Sequence, residues 1–278
     1  MTTTLRPTGP IQQGADGAKS RSYDVCDNGR PVGAVEIGTD PGFGAKAGVL
    51  RSLHIDESRR RRGRGTIAAL AAEEVLRGWG CTQMTLSVMV DETAAQGLAA
   101  ALGYAERSRN MLKELPSTPP ELPDGVSARP MTDDEFAHWA SDALRSYAQT
   151  WIDRGVPVDQ AVRKAETSHA QFLPHGLASE GVHLHVLVHE DGVVGHVWVA
   201  RHEMHPGMLV SYVFDVEVRE EFRGRGYGRA LMLQAERIAL EAGDDRLGLH
   251  VLTSNTPALR LYESLGYRTT QYSLAKML

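Results

Sequence analysis

Cysteine is nearly absent: the 278 residues contain two, Cys26 and Cys81. Two thiols cannot build a disulfide framework, and neither has metal-ligand spacing, so the expectation is a reducing, cytoplasmic setting. No run of about eighteen apolar residues occurs, which argues against a helical membrane span. Residues 1–20 are polar and rich in Thr, Gly and Gln, without the apolar stretch of a secretory signal. A surplus of positive charge is missing too. With a formal net charge of −5 the chain has no overall pull toward nucleic acid or an anionic membrane, so any cationic site must be local. What remains is ordinary globular material. Hydrophobic residues make up 42% and charged ones 23%, enough for a core in one large domain or two of common size.

The chain repeats itself. Arg60-Arg61-Arg62-Gly63-Arg64-Gly65 lies 163 residues before Arg223-Gly224-Arg225-Gly226-Tyr227-Gly228, and the same offset carries Gly80 to Gly243, Thr93 to Thr256 and Gly103-Tyr104 to Gly266-Tyr267. A gap-free register of that length indicates a duplicated domain, not a short solenoid repeat. Between the copies, residues 116–125 hold four prolines, which block regular structure and favour an extended connector. The expected organisation is a first domain over 1–115, a linker over 116–124 and a second domain over 125–278.

In the second copy, Thr132-Asp133-Asp134-Glu135 reads as a capping box that opens a helix. Residues 136–173 read as two helices broken near Gly155-Val156-Pro157. Residues 183–188 and 193–201 read as a hairpin turning at Glu190-Asp191-Gly192. A strand over 209–218, a helix over 229–242, a strand over 247–252, a helix over 257–265 and a last strand over 272–277 follow. The first copy has a hairpin around Asp27-Asn28-Gly29 but no room for the helical pair, so it reads as truncated. Both copies are expected to be α/β (α+β), each a mixed, mostly antiparallel sheet flanked by helices.

Glycines between a strand and a helix let backbone N–H groups turn toward an anion, and neighbouring arginines add charge and bidentate donors. Such a loop suits a pyrophosphate. It lacks the Gly-x-Gly-x-x-Gly order of a dinucleotide fold and the Lys-Ser or Lys-Thr of a Walker loop. Taken with Asn255, Leu261-Tyr262-Glu263-Ser264-Leu265-Gly266-Tyr267 and the opening Ala128-Arg129-Pro130-Met131-Thr132, the pattern resembles the GCN5-related N-acetyltransferase superfamily over essentially all of 125–278. The resemblance implies acetyl-CoA as co-substrate. It places the pantetheine arm along Val216 and Val218, the pyrophosphate at Arg223, Gly224, Arg225, Gly226, Tyr227, Gly228 and Arg229, and the thioester near Asn255.

Acetyl transfer to an amine must remove a proton from an ammonium of pKa about 10 and return one to the departing thiolate. By the resemblance, Tyr262 is the expected acid. For the base, His250, Asp215 and Glu217 stand as alternatives: an imidazole titrates near neutrality, while the two carboxylates alternate with Val216 and Val218 and so leave the other strand face. The acceptor wall is expected from 136–173 and the strand around Tyr212, with Trp139, Tyr147, Trp151 and Phe172 as apolar candidates. His183, His185, His189, His202 and His205 have no completing cysteine or carboxylate set, so no metal is expected.

In the first copy the same offset puts Ala99 at the place of Tyr262, Glu92 at that of Asn255 and Ser87 at that of His250. That copy is expected to be catalytically silent, with Arg60, Arg61, Arg62, Gly63, Arg64 and Gly65 as a possible second CoA site. Nucleic acid is not the expected partner, because no aromatics interleave with the arginines. Absence of cysteine near the motifs points to direct attack in a ternary complex. The acceptor ranking is a peptide N-terminus, then a small amine metabolite or antibiotic. The competing reading is a non-enzymatic acyl-CoA-binding sensor. Oligomeric state, monomer or homodimer, is left open.

Overall fold

The computed structural model describes residues 2–14, 17–40, 44, 46–153, 156–190 and 192–278. The first copy supplies β1 (Thr3–Pro7), β2 (Gln12–Gln13), β3 (Lys19–Asp27), β4 (Arg30–Thr39), β5 (Ala47–Ile55), α1 (Arg64–Gly78), β6 (Gln83–Met89), α2 (Thr93–Ala101) and β7 (Ala105–Glu114). The second supplies β8 (Val126–Pro130), α3 (Asp133–Asp153), α4 (Val158–Phe172), β9 (Val182–His189), β10 (Gly192–His205), β11 (Met208–Val218), α5 (Tyr227–Glu241), β12 (Arg246–Leu252), α6 (Thr256–Ser264) and β13 (Arg268–Met277).

Local chemistry explains the boundaries. At the β3–β4 turn Asn28 and Gly29 both take positive φ, 50° and 78°, the twist a two-residue hairpin needs. The capping box forms as expected: Thr132 N–H donates to Glu135 Oε2 at 2.8 Å, and Glu135 N–H donates to Thr132 Oγ1 at 3.3 Å. The helical pair is present as α3 and α4. Gly155, in the expected break, and Asp191, in the expected turn, lie outside the described residues. Residues 116–124 contain neither helix nor strand.

Two compact units result, and they are not contiguous in sequence. One takes Met1–Ser108, Asp153–Val156 and Gln271–Leu278; the other takes Arg109–Ile152 and Pro157–Thr270. In the first unit the strand order is β1-β3-β4-β5-β6-β13, with β2 on β3. In the second it is β7-β12-β11-β10-β9-β8. The hairpin-linked neighbours β3–β4, β4–β5, β9–β10 and β10–β11 are antiparallel, as are β1–β3, β6–β13 and β8–β9, whereas β5 with β6 and β11 with β12 run parallel. The sequence division at 116–124 therefore differs from the compact units. Each copy's last strand completes the other copy's sheet.

A duplicated buried ion pair holds each exchanged strand. In the first unit Lys276 of β13 donates to both carboxylate oxygens of Glu73 on α1, at 2.9 and 2.8 Å, and the Tyr104 hydroxyl donates to the same group at 3.0 Å. In the second unit Lys113 of β7 donates to Glu236 on α5 at 2.6 Å, above the Tyr267 ring. Both glutamate side chains are 1% exposed. Each pair obeys the 163-residue offset, with Glu73 matching Glu236 and Lys113 matching Lys276. Burial and the adjacent glutamates push the Tyr104 and Tyr267 phenols well up.

The second unit is layered on both sheet faces. α5 lays Leu231, Ala235 and Ile238 against Val197, Val199, Leu247 and Leu249. On the opposite face Met131, Trp139, Leu173, Leu184, Val186 and Trp198 form a separate cluster with α3. The first unit packs Leu76 of α1 with Ile37 and Met84. Among its described residues no helix lies between β1 and β3, so nothing corresponds to α3 and α4.

Candidate active site

Strand period and register decide which side chains share the α3–α4 face. Trp198 of β10 lies opposite Asp215 of β11, and His196 lies opposite Glu217, so these four project to one side while Val197, Val216 and Val218 project to the other. The next pair after Trp198–Asp215 is Val199–Val213, leaving Phe214 as an extra residue in a bulge. A bulge bends its strand and re-aims nearby side chains. It occurs where β11 begins to leave β12.

Between this face and the two helices lies a cavity of about 960 Å³. Trp139, Tyr147, Phe172 and Trp198 give it aromatic walls, while Asp134, Asp142, Asp215 and Glu217 make it acidic. Three of the four aromatics expected at the acceptor wall therefore line it. The fourth, Trp151, is buried with its ring 5.8 Å from Tyr147.

Asp215 is the junction. Its Oδ2 accepts from Trp139 Nε1 at 3.1 Å and faces His196 Nε2 at 2.9 Å. Burial pushes the Asp215 carboxyl up, but the bonds from His196 and Trp139 outweigh it and hold the group below the usual aspartate range. Asp215 also lines a second cavity of about 220 Å³, together with Val213, Val216, His250, Asn255 and Tyr262. That gap opens because β11 and β12 pair only over Ser211–Val213 against Leu247–Leu249.

Across the gap stand the groups expected from sequence. Tyr262 is 7% exposed, and burial, reinforced by the Asp215 charge, pushes its phenol up. It stays protonated near neutrality and so is available as a donor. His250 opens onto the gap, yet close surroundings lower its pKa by desolvation, leaving it neutral. Asn255 caps α6, its Oδ1 accepting from Ala258 N–H at 3.3 Å. Its amide N–H₂ remains for another ligand. Glu217 sits farther along the face, 3.6 Å from Arg223.

The gap leads to the glycine loop. Gly224 and Gly226 take φ of 77° and 86°, a conformation that would strain any side chain, and Gly226 starts α5. The opening N–H groups of a helix lack intrahelical partners and suit an anion. Arg223 is exposed, with its Nε held by the Val218 carbonyl at 3.1 Å. Arg225 lies over the Phe222 ring, and Arg229 donates to Ser264 Oγ at 2.6 Å. The Tyr227 ring is buried against His189 and Phe222, so at the loop this residue offers its backbone.

The first copy's loop differs more. Arg64, which the sequence grouped with a second phosphate site, is turned inward, 2% exposed and paired with Asp27. Arg60 Nε donates to the Ile55 carbonyl at 2.7 Å. Arg61 and Arg62 remain exposed. An inward arginine occurs because its counterpart in the second copy, Tyr227, is a core position.

His196 was not singled out by sequence. It lies in a strand without a motif, and its partner is 19 residues away. His185 is separate from the site: it projects toward α5, 3.2 Å from Gln234, and burial pulls its pKa down to about 4.

A match to the acetyltransferase (GNAT) family covers residues 5–104 and 134–267, one region in each copy. The chain belongs to that family. GNAT members use acetyl-CoA as co-substrate, and this chain is an acyltransferase of tandem GNAT organisation. Mycothiol acetyltransferase of Thermomonospora curvata is 31% identical over 268 residues, which are 93% of this chain and 82% of that protein. A GCN5-related N-acetyltransferase from Sphaerobacter thermophilus superposes with a TM-score of 0.59 at 20% identity, over 92% of this chain and 80% of that one. A tandem GNAT protein from the clavulanic acid biosynthesis pathway gives 0.55 at 19% identity, over 95% and 85%. Among the described residues, no helix is long and apolar enough to cross a membrane.

Proposed function

We propose that the second unit transfers acetyl from acetyl-CoA to the primary amine of a small cationic molecule, by direct attack in a ternary complex. The observation that carries this reading is Asp215, which borders both the acidic aromatic cavity and the β11–β12 gap. An acceptor in the first space and a thioester in the second would meet beside it. The donor's residues suit its chemistry: Arg223 and Arg225 with the Gly226 loop for the diphosphate, Val216 and Val218 for the pantetheine arm, and Tyr262 for the thiolate proton. Acetyl-CoA supplies the activated acyl group.

Carboxylates at Asp134, Asp142 and Glu217 favour a cation, and a cavity of this volume under two helices suits a drug-sized molecule. Both features favour a small amine over a peptide N-terminus. The name of the mycothiol acetyltransferases is in keeping with a small-molecule acceptor. We assign the reaction to the second unit, since the first has Ala99 at the Tyr262 position and an inward Arg64.

The test uses the full chain, acetyl-CoA and three probe acceptors: benzylamine, 1,4-diaminobutane and a short peptide with a free N-terminus. Amine-dependent thiol release is expected, greater with the small amines. Arg223→Ala should raise KM for acetyl-CoA about tenfold, the loss of one charge-assisted hydrogen bond, with kcat little changed. Tight binding of acetyl-CoA without thiol release for any amine would favour the sensor reading instead.

A further inference from the structure

The strongest feature that the site description leaves without a task is the imidazole of His196. It stands on β10 and lines the acceptor cavity, with its side chain 18% exposed. Its Nε2 faces Asp215 Oδ2 at 2.9 Å, and the same oxygen accepts from the Trp139 indole N–H at 3.1 Å. A carboxylate oxygen only accepts, so the neutral ring must carry its proton on Nε2. That fixes the tautomer and makes Nδ1 the accepting nitrogen of a ring that lines the cavity. Trp139, whose ring lies edge-on to His196 at 6.3 Å, anchors the carboxylate from α3.

We propose that His196 is the base that deprotonates the acceptor amine, with Asp215 and Trp139 as the residues that position it. This rests on the amine-transferase reading above. The ammonium gives one proton to His196 Nδ1, directly or through one water. The freed nitrogen pair forms the C–N bond to the acetyl carbon as the C–S bond breaks. The amide nitrogen loses its second proton to solvent, and the thiolate takes the Tyr262 proton, which solvent restores. The imidazolium left on His196 is stabilised by Asp215, whose negative charge is retained because its own pKa is low. His250 and Glu217, the alternatives from sequence, lack this arrangement: among the described residues no carboxylate pairs with the His250 ring, and Glu217 is drawn to Arg223.

The charged and titratable groups facing His196 define what else a pH profile would register. Besides Asp215, those that line the same cavity are Asp134, Glu135, His138, Asp142 and Tyr147 on α3, His169 on α4, and Glu217 and Arg219 at the end of β11. Glu135 is committed to Arg129 and the α3 cap, and its pKa is held at about 2 by those bonds, so it does not titrate in the working range. Burial lowers the pKa of His169.

Two measurements on the full chain test the proposal. The first is ¹⁵N NMR of the imidazoles in the wild-type protein, with the His196 signal identified by its loss in His196→Gln. An Nε2-protonated neutral ring is expected; an Nδ1-protonated one would overturn the assignment. The second is kcat/KM against pH with benzylamine and 1,4-diaminobutane. His196→Gln keeps a donor toward Asp215 but cannot accept a proton, so kcat should fall about a hundredfold and the acidic limb should vanish. A variant retaining the wild-type rate and limb sinks the idea. If wild type releases no thiol with any amine, the transferase reading itself falls, and with it the role of His196, whatever tautomer the NMR shows.

Discussion

Glu236→Gln should destabilise the second unit by about 3–5 kcal/mol, the usual result of removing one member of a buried ion pair. The reason is the ammonium left behind. Lys113 is 17% exposed and points at a carboxylate that is 1% exposed, so loss of that charge strands a desolvated cation beside the Tyr267 ring. Lys113→Met should cost a similar amount, because the glutamate is then the uncompensated charge. Together with Glu236→Leu it should recover most of the loss, since well-packed apolar residues often replace a buried pair at little cost. Urea unfolding of wild type, Lys113→Met, Glu236→Leu and the protein carrying both changes forms a double-mutant cycle. A coupling near zero would mean that the pair does not hold β7 in place. Glu73→Gln should act in the same way on the first unit, where two donors, Lys276 and Tyr104, lose their acceptor's charge.

Tyr262→Phe should lower kcat about a hundredfold or more, the scale of a lost general acid, while KM for acetyl-CoA changes little. Phenylalanine keeps the ring that packs 6.0 Å from Tyr267 and removes only the hydroxyl. That hydroxyl donates to no described residue, so its removal breaks no structural hydrogen bond. A thermal melt close to wild type should accompany the kinetic loss. If thiol release slows less than threefold, the thiolate takes its proton from water and Tyr262 is a wall of the gap.

Much of the fold was legible because local chemistry and tertiary structure agree. Asn28-Gly29 demanded its hairpin, Thr132 and Glu135 their cap, and Gly224 and Gly226 their left-handed turn ahead of α5. The same 163-residue register that exposed the glycine loops also carries Glu73 and Glu236, yet these passed unnoticed. A glutamate on an amphipathic helix reads as solvent-facing until its lysine is known, and each lysine arrives on a strand from the other copy. The exchange itself leaves no local signal: β7 and β13 both offer a lysine at the matching position, and either would suit either slot. The pairing of His196 with Asp215 is hidden for a related reason: they meet through a cross-strand register with a bulge at Phe214, which alternation within a single strand cannot reveal. Arg64 shows the converse error, where a motif's charge suggested a ligand and the fold used it against Asp27.

The crossed final strands have a consequence for inheritance. Neither half of the gene can be trimmed away or left to decay, because each encodes an edge that the other half's product requires. A stop codon that removed only the last eight residues would leave the whole acetyl-transfer region translated while stripping Lys276 from Glu73, so the damage would surface in the segment made first.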